Sequence, residues 1–505
     1  MAMNGISRIV VAVGVLATVC SHAEETEAKQ PEEIVVVDKR TQLRVFSVYR
    51  TPVVIGRDGN FKQAFVPGGR GKRNPIEDYQ SPLPDAGWRS PAFDDAEWTR
   101  TRAPVEKGRG QISGRNPGAL HFATVNSIIC ARAKFIVDDP AQAGDLHLAL
   151  TYVGGAAVYM NGREVTRLHL PDGEIKPDTL AGRYPDDLYI TADGKYLLNR
   201  QQDMSEDEKQ RFQERFRRAR DIVIPAALLR KGLNVLSLEL HRAPVNEAVQ
   251  TVTRRVFGGV YRMPGVWAYA ALTDLKLTAS PGAAVTANVA RPKGVQVWNC
   301  APFDTISVNS YGDPGDPGAP IEIDAVRNGS FSGRFVVSSD ATIDELKVAL
   351  SPLRLHGGSA ALDGEAVFLR RGRRATPAET SREEHLFDGL DTEVPKTVKA
   401  VIGKFQVGVK WEWKYHYGDG AVLPLWITVT PPKDVLAGLY EGTVTVAAQG
   451  LVPLRIPVRC TVHDWTLPAP ADYRVRSLNI FSPYSLAMHY KVPLWSDEHF
   501  KLIER

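Results

Sequence analysis

Cysteine is scarce in this chain: of 505 residues only Cys20, Cys130, Cys300 and Cys460 carry thiols. No C-x-x-C spacing links them, so neither a zinc site nor a dense disulfide framework is indicated. Cys130 and Cys460 fall in strand-like runs and read as small buried hydrophobes. One disulfide remains open, with no pairing preferred. An excess of one charge is also lacking. Lys and Arg total 62 against 58 Asp and Glu, a formal charge of +4 with both signs interspersed, which gives no case for a nucleic-acid partner. Long apolar runs are absent too. The run Ile9–Val19 spans eleven residues, short of the roughly 20 that a membrane-spanning helix needs.

Catalytic signatures are equally thin. There is no H-E-x-x-H, Walker loop or G-x-S-x-G. Gly329-Ser330-Phe331-Ser332-Gly333 puts phenylalanine where a nucleophilic serine must stand, and Gly108-Arg109-Gly110 lacks a third glycine and a βαβ setting. The acidic pairs Asp94-Asp95, Asp138-Asp139, Asp186-Asp187 and Glu383-Glu384 are neighbours in sequence, so on a strand they point to opposite faces. A glycosidase needs two carboxylates facing one cleft. No catalytic residue, metal ligand or cofactor site is assigned; a structural calcium is left open.

What is present begins with an export signal. Arg8 precedes the apolar run, and Ser21-His22-Ala23 places small residues at −3 and −1 of a cleavage point before Glu24. That is the pattern of a secretory signal peptide over residues 1–23, and it implies a secreted or periplasmic protein without a membrane span. Cys20 invites a lipoprotein reading, but Val19 stands where a small residue is required.

The remaining length suits two to four domains. With 42 Gly and 34 Pro punctuating short apolar runs, the chain reads as all-β, most simply β-sandwiches. One segment departs from that pattern. Asp203–Asp221 opens with Ser205 three residues before Glu208, a capping box. Asp207/Arg211 and Glu214/Arg218 are spaced i,i+4, and Phe212 and Phe216 share a face. It is expected to be a solvated surface helix inserted between strands.

From Trp88 to Leu277 three motifs occur in order. GWRSPAFDDAEW carries Trp88, Asp94, Asp95 and Trp98; LHLALTYVGGAAVYMNGREV turns at Asn161-Gly162; IPAALLRKGLNVLSLEL closes the set. Asn-Gly suits a type I′ hairpin; Asp94 and Asp95 suit local turn hydrogen bonds that hold Trp98 over a core. This order resembles the galactose-binding-like jelly roll attached to many glycoside hydrolases. The resemblance implies that sugar, where bound, is held by variable loops. Aromatic rings there stack on pyranose faces, which makes Tyr184, Tyr189, Tyr261 and Trp267 candidates. Trp267 leads into a strand over Ala271–Leu277 and also suits packing.

Thr278–Ala290 is small, alanine-rich and proline-punctuated, a domain boundary, and Tyr311–Pro320 is a turn-rich connector. Strand-like runs then resume. In Lys410–Tyr417, KWEWKYHY, the residues Trp411, Trp413, Tyr415 and Tyr417 share one face of a strand. That face is either sandwich core or a stacking platform, with Trp413, Tyr415 and Tyr417 contacting glycan or a catalytic barrel. Leu423–Val429 reads as a strand, and GLYEGTVTVAAQGLVPLRIPVRCTVHDWTLP (Gly438–Pro468) as two alternating strands about a Gln449-Gly450 hairpin. This closing stretch, with IEIDAVRN upstream, resembles the N-terminal β-sandwich of glycoside hydrolase family 123. Gly329 departs from the glutamate usual at that place. In that family a (β/α)8 barrel comes next and carries a catalytic Asp-Glu pair that works with the substrate's acetamido group. Here a strand over Ser477–Phe481, a loop and a helix from about Ser496 resemble the barrel's first β/α unit. No position in this sequence inherits the catalytic roles.

The expected organisation is therefore a signal peptide (1–23), an extension with first strands (24–75), a galactose-binding-like sandwich (76–279), a linker (280–320), a second sandwich (321–470) and a truncated barrel start (471–505). The reading implied is the carbohydrate-binding, scaffolding part of an exported glycoside hydrolase, its catalytic barrel in cis. The rival reading is a secreted polysaccharide-binding or adhesion protein without catalysis.

Overall fold

Leu146–Val153 reads LHLALTYV, and Leu146, Leu148, Leu150 and Tyr152 are all buried while His147 points out. Such alternation puts every second side chain on one face and specifies a strand with one side in a core. A computed structural model of the chain describes residues 32–56, 58–63, 65–67, 73–75, 80–105, 126–191, 197, 205–247, 253–256, 259–262, 270–302, 304–314, 319–374, 387–407, 414–469, 472–473 and 482–504. The expected signal peptide with Cys20 and the expected strand Ser477–Phe481 lie outside the described residues.

The first unit comprises β1 (Ile34–Asp38), β2 (Leu43–Tyr49), β3 (Thr99–Thr101), β4 (Asn126–Val137), β5 (Leu146–Val153), β6 (Gly155–Met160), β7 (Arg163–Leu168), β8 (Arg217–Ile224), β9 (Gly232–His241) and β10 (Ala271–Ala279). One sheet runs β1-β10-β5-β8 and the other β7-β6-β9-β4-β2-β3. Their inner faces share one core, with Val37, Leu148, Leu150, Leu275 and Leu277 from the first sheet against Phe135, Val158, Leu236 and Leu238 from the second. Each such side chain, fully buried, contributes about 1.5–3 kcal/mol. Asn161 and Gly162 both take positive φ (52° and 85°) between β6 and β7, as the Asn-Gly hairpin requires. Gly154, between β5 and β6, has φ +92°, and a Cβ there would stand 2.1 Å from the His241 carbonyl oxygen, so only glycine fits.

The second unit contains β11 (Gln296–Asn299), β12 (Ile321–Arg327), β13 (Phe331–Ser339), β14 (Lys347–Leu350), β15 (Leu353–Leu355), β16 (Val367–Arg374), β17 (Phe387–Asp391), β18 (Val401–Val407), β19 (Lys414–Val429), β20 (Gly438–Ala448) and β21 (Leu451–Thr466). One sheet runs β11-β13-β19-β16-β17, with β18 also on β19; the other has β12-β21-β20-β15, with β14 also on β20. Phe335, Leu425 and Ile427 meet Tyr440, Val444, Ile456 and Val458 across the layer. The β20–β21 hairpin turns at Gly450, φ 77°, and its register runs from Ala448↔Leu451 to Gly438↔Val462. Both units are thus strand-built two-layer sandwiches.

Three expectations change. The helix is shorter than Asp203–Asp221: α1 spans Glu206–Glu214, with the Ser205/Glu208 capping box and the Asp207–Arg211 ion pair in place. Its expected C-terminal half is instead β8, which pairs with β5 from Arg217↔Tyr152 to Ile224↔Leu146. Pairing on a buried strand overrides the local helical preference of an arginine-rich run. Second, the expected loop before Ser496 holds α2 (Pro483–Tyr490), capped by Ser482 with proline at its first position, ahead of α3 (Asp497–Glu504). Third, the early linker is folded onto the first sandwich. Val285 and Thr286 pair with Val137 and Ile136, and Asn288 N donates to Val36 O at 2.8 Å. Cys130 and Cys460 are buried, as their small-hydrophobe reading expected; with Cys300, also buried, they are free, so the disulfide left open does not form among them. Burial pushes the Cys460 thiol up to about 12 and Cys130 well above its ordinary value, which leaves both unreactive.

Asp95 also behaves differently from its turn reading. Asp94 does accept from Ala96 N at 2.9 Å, and Trp98 is buried beside Trp88, Ile128 and Cys130. Asp95, however, is buried and receives Arg132 Nε and Lys134 Nζ, each at 2.6 Å.

Candidate functional site

Strands β2 and β9 end, and β4 begins, at one edge of the first sandwich, because β4 runs antiparallel to both. The chain leaving β2 is held there by an isolated bridge between Arg50 and Gln80. Ser127 Oγ donates to Val48 O at 2.9 Å, and Arg242 N donates to Ser127 O at 3.0 Å, extending the ladder one residue past β9. Over this edge folds a turn at Lys176-Pro177-Asp178-Thr179. Thr179 N donates to Lys176 O at 3.0 Å and Lys176 N to Thr179 Oγ1 at 2.8 Å. Proline at the second position presets that turn and places Asp178 at its tip. His241 Nδ1 lies 2.9 Å from Thr179 O and Ala181 N donates to Arg242 O at 2.9 Å, so the turn is tied to the end of β9.

Together these segments enclose a cleft of about 170 Å³. Its polar side is Arg50, Gln80, Ser127, Asp178, Thr179 and Arg242; Val53, Pro177 and Leu180 supply an apolar wall. Arg242 is only 4% exposed and donates through Nη1 to Arg50 O at 3.0 Å and through Nη2 to Thr51 O. Burial, and then the charge of Arg50, pulls its pKa down to about 10. Arg50 Nη1 spans the carbonyls of Tyr49 and Ser81, at 3.1 and 2.5 Å, while its Nε and Nη2 have no acceptor among the described residues. Asp178 is exposed and has no ion-pair partner among the described residues. A guanidinium and a carboxylate thus face one cleft without pairing with each other. That combination offers donors, acceptors and an apolar wall to a polyhydroxylated ligand.

The aromatic candidates are placed elsewhere. Tyr184 and Tyr189 are 4% and 2% exposed. They pack edge-to-face at 5.9 Å, with Arg217 Cζ 3.9 Å from the Tyr184 ring centre and Arg215 Cζ 4.2 Å from that of Tyr189. Tyr184 Oη accepts from Gly154 N at 2.9 Å. In this arrangement both rings brace the loop cluster and present no open face. Tyr261 lies opposite Arg254 in a short hairpin; its side chain, and the whole of Trp267 and Trp413, lie outside the described residues. Tyr415 and Tyr417 sit on β19 opposite Gln406 and Lys404 of β18, their side chains likewise outside. The sequence contained a signal for the Lys176–Thr179 turn in its Pro-Asp step, but none for Arg50 and Arg242, which meet only through the sheet.

The acidic pairs are used locally. Asp139 caps a short helix by accepting from Ala141 N at 3.0 Å, and Asp186 pairs with Arg183 at 2.9 Å. Glu383 and Glu384 lie outside the described residues. Among the described residues no three His, Cys, Asp or Glu side chains are grouped to hold a metal ion, so a structural calcium gains no ligand set there.

Glu239, on β9, sits near this edge with its Oε1 3.1 Å from His241 Nε2 and its Oε2 against Arg89. Burial raises its pKa, but the hydrogen bonds from His241 and Arg89 outweigh burial and leave it below the ordinary 4.5. A lowered carboxylate pKa means stability that is present above the unfolded value and lost as pH falls through the folded one. The urea midpoint is therefore expected to drop as pH falls below about 4.5, and Glu239→Gln is expected to flatten that drop.

These features define a class: an all-β protein of two sandwiches, with a polar cleft at the loop edge of the first. No protein-family model matches the chain, and no curated protein sequence does. Solved structures similar to it are glycoside hydrolases at low identity. A family 123 glycoside hydrolase from Clostridium perfringens is 12% identical, with 41% of this chain and 34% of that one covered and a TM-score of 0.29. Bacteroides uniformis β-glucuronidase 2 is 12% identical over 86% and 33%, at a TM-score of 0.21. Ruminococcus gnavus β-glucuronidase is 8% identical over 82% and 43%, at 0.20. The chain spans between a third and a half of the length of these proteins.

Proposed function

We infer that this chain is the carbohydrate-binding and scaffold region of an exported glycoside hydrolase, in which cleavage of the bond, of an N-acetylhexosaminide, belongs to a catalytic barrel in cis. The observation that carries the binding role is the edge cleft, in which Arg50 and Asp178 face a volume of about 170 Å³ without pairing with each other. Support for the hydrolase context comes from the sequence: the ordered motifs between Trp88 and Leu277, and the closing strands up to Pro468. Asp94, Asp95, Asp138, Asp139 and Asp186 are engaged in turn, cap and side-chain hydrogen bonds and in ion pairs, and the role assigned to this chain is binding. A non-enzymatic polysaccharide-binding protein shares the binding role and differs in having no catalytic barrel after the second sandwich.

The test is retention of the chain from Glu24 to Arg505 on immobilised polysaccharides, with hydrolysis of chromogenic glycosides monitored in parallel. Retention with no turnover is expected. Failure to bind any saccharide would leave only a spacer; turnover by this chain alone would overturn the division of labour.

A further inference from the structure

We propose that the cleft at the edge of β2, β4 and β9 selects a saccharide unit that carries a carboxylate, a uronic acid residue within an acidic polysaccharide. The proposal rests on the carbohydrate-binding reading and adds the chemical class of the sugar. Two guanidiniums, Arg50 and Arg242, line a space that holds a single carboxylate, Asp178. Arg242 is buried and fixed by the carbonyls of Arg50 and Thr51, so its charge cannot swing away into solvent. Arg50 is held at Nη1 by Tyr49 O and Ser81 O, while its Nε and Nη2 have no acceptor among the described residues. A planar fork fixed at one corner with its other donors open matches the two oxygens of a carboxylate. Arg242 is pulled down chiefly by burial and only then by the charge of Arg50; an anion seated beside the two groups offsets that second cause.

The remaining lining fits the rest of a sugar. Asp178 and Thr179 on the turn, with Ser127 and Gln80, supply acceptors and donors for ring hydroxyls, while Pro177 and Leu180 supply apolar lining. The volume of about 170 Å³ admits one pyranose unit, not an extended oligosaccharide.

Calorimetric titration of the full chain tests this with glucuronate and galacturonate, their neutral parents glucose and galactose, a sulfated monosaccharide, and acetate. The uronates are expected to bind at least tenfold more tightly than the neutral sugars and than acetate. Their affinity is expected to fall several-fold between 0.02 and 0.5 M salt, as ionic contacts do. Arg50→Gln is expected to weaken the uronates tenfold or more and leave the neutral sugars unchanged, with Arg50→Lys between. If uronates and neutral sugars bind equally, the anionic preference fails while carbohydrate binding stands. Should none of the sugars bind, the underlying reading fails with it. Acetate or the sulfated sugar binding as well as the uronates overturns the assignment to a carboxylated saccharide. If Arg50→Gln does not fold, the salt dependence of the parent chain still decides: uronate affinity unmoved by salt refutes the ionic contact.

Discussion

Replacing Asp95 with alanine is expected to cost about 3–5 kcal/mol of folding stability, the usual penalty for removing one partner of a buried ion pair. Asp95 is 2% exposed, and Arg132 Nε and Lys134 Nζ each approach its oxygens to 2.6 Å, with Arg44 Nε at 3.8 Å. Without the carboxylate, Arg132 and Lys134, which are almost inaccessible to water, lose the counter-charge at 2.6 Å, while Arg44 keeps Asp313. The damage extends through Arg132, which also donates to Trp88 O, to Ser90 O at 3.0 Å and to Phe93 O at 3.4 Å. Those carbonyls shape the loop that packs Trp88, Phe93 and Trp98 into one aromatic cluster. Because a domain has only about 5–15 kcal/mol in hand, the first sandwich of Asp95→Ala is expected to lose a large share of its stability and to unfold at a clearly lower urea concentration. Urea denaturation monitored by tryptophan fluorescence measures the loss. Asp95→Asn is expected to fall nearly as far, since its amide turns a donor toward one of the two cations. A loss below 1 kcal/mol would mean that the network contributes little.

The sequence foretold the strands better than the contacts. Period-2 stretches such as Leu146–Val153 and Leu451–Val462 placed strands directly, since the inward residues have one possible face. Asn161-Gly162 and Gln449-Gly450 marked their turns because few residue pairs tolerate positive φ. The helix limit failed where local signals and sheet pairing compete: Arg217–Ile224 has the charge pattern of a helix but lies against β5. The site was less legible still. Aromatic residues invited a stacking role, yet Tyr184 and Tyr189 are enclosed by Arg217 and Arg215, and no spacing rule announces a guanidinium two strands away. Arg50 and Arg242 are separated by most of the first sandwich in sequence and meet only because β2 and β9 both flank β4. Asp95 shows the same limit, since its turn position was readable while its burial against Arg132 and Lys134 was not.

Asp313→Ala is expected to loosen one sandwich from the other. Asp313 lies after the first strand of the second unit, yet its Oδ2 receives Arg44 Nε at 3.1 Å and Arg100 Nη1 at 3.3 Å, from β2 and β3 of the first. All three side chains are 1–2% exposed. Around this contact, Arg102 Nη2 donates to Asn309 O at 2.7 Å, Arg100 Nη2 to Tyr311 O, and the Arg100 guanidinium lies 4.3 Å over the ring of Trp298 on β11. The junction is therefore ionic and desolvated, and its strength depends on a carboxylate that both guanidiniums share. Removing it costs about 3–5 kcal/mol by the same argument as for Asp95, but the energy is lost from the coupling between units and not from either core. The cores of the two sandwiches contain none of these residues. In scanning calorimetry the parent chain is expected to unfold in one cooperative transition, and Asp313→Ala in two, with independent midpoints. The choice between rigid junction and loose tether turns on that shape: a single transition in the variant, at the parent's midpoint, would show that the sandwiches are held together by something other than the Asp313 contact.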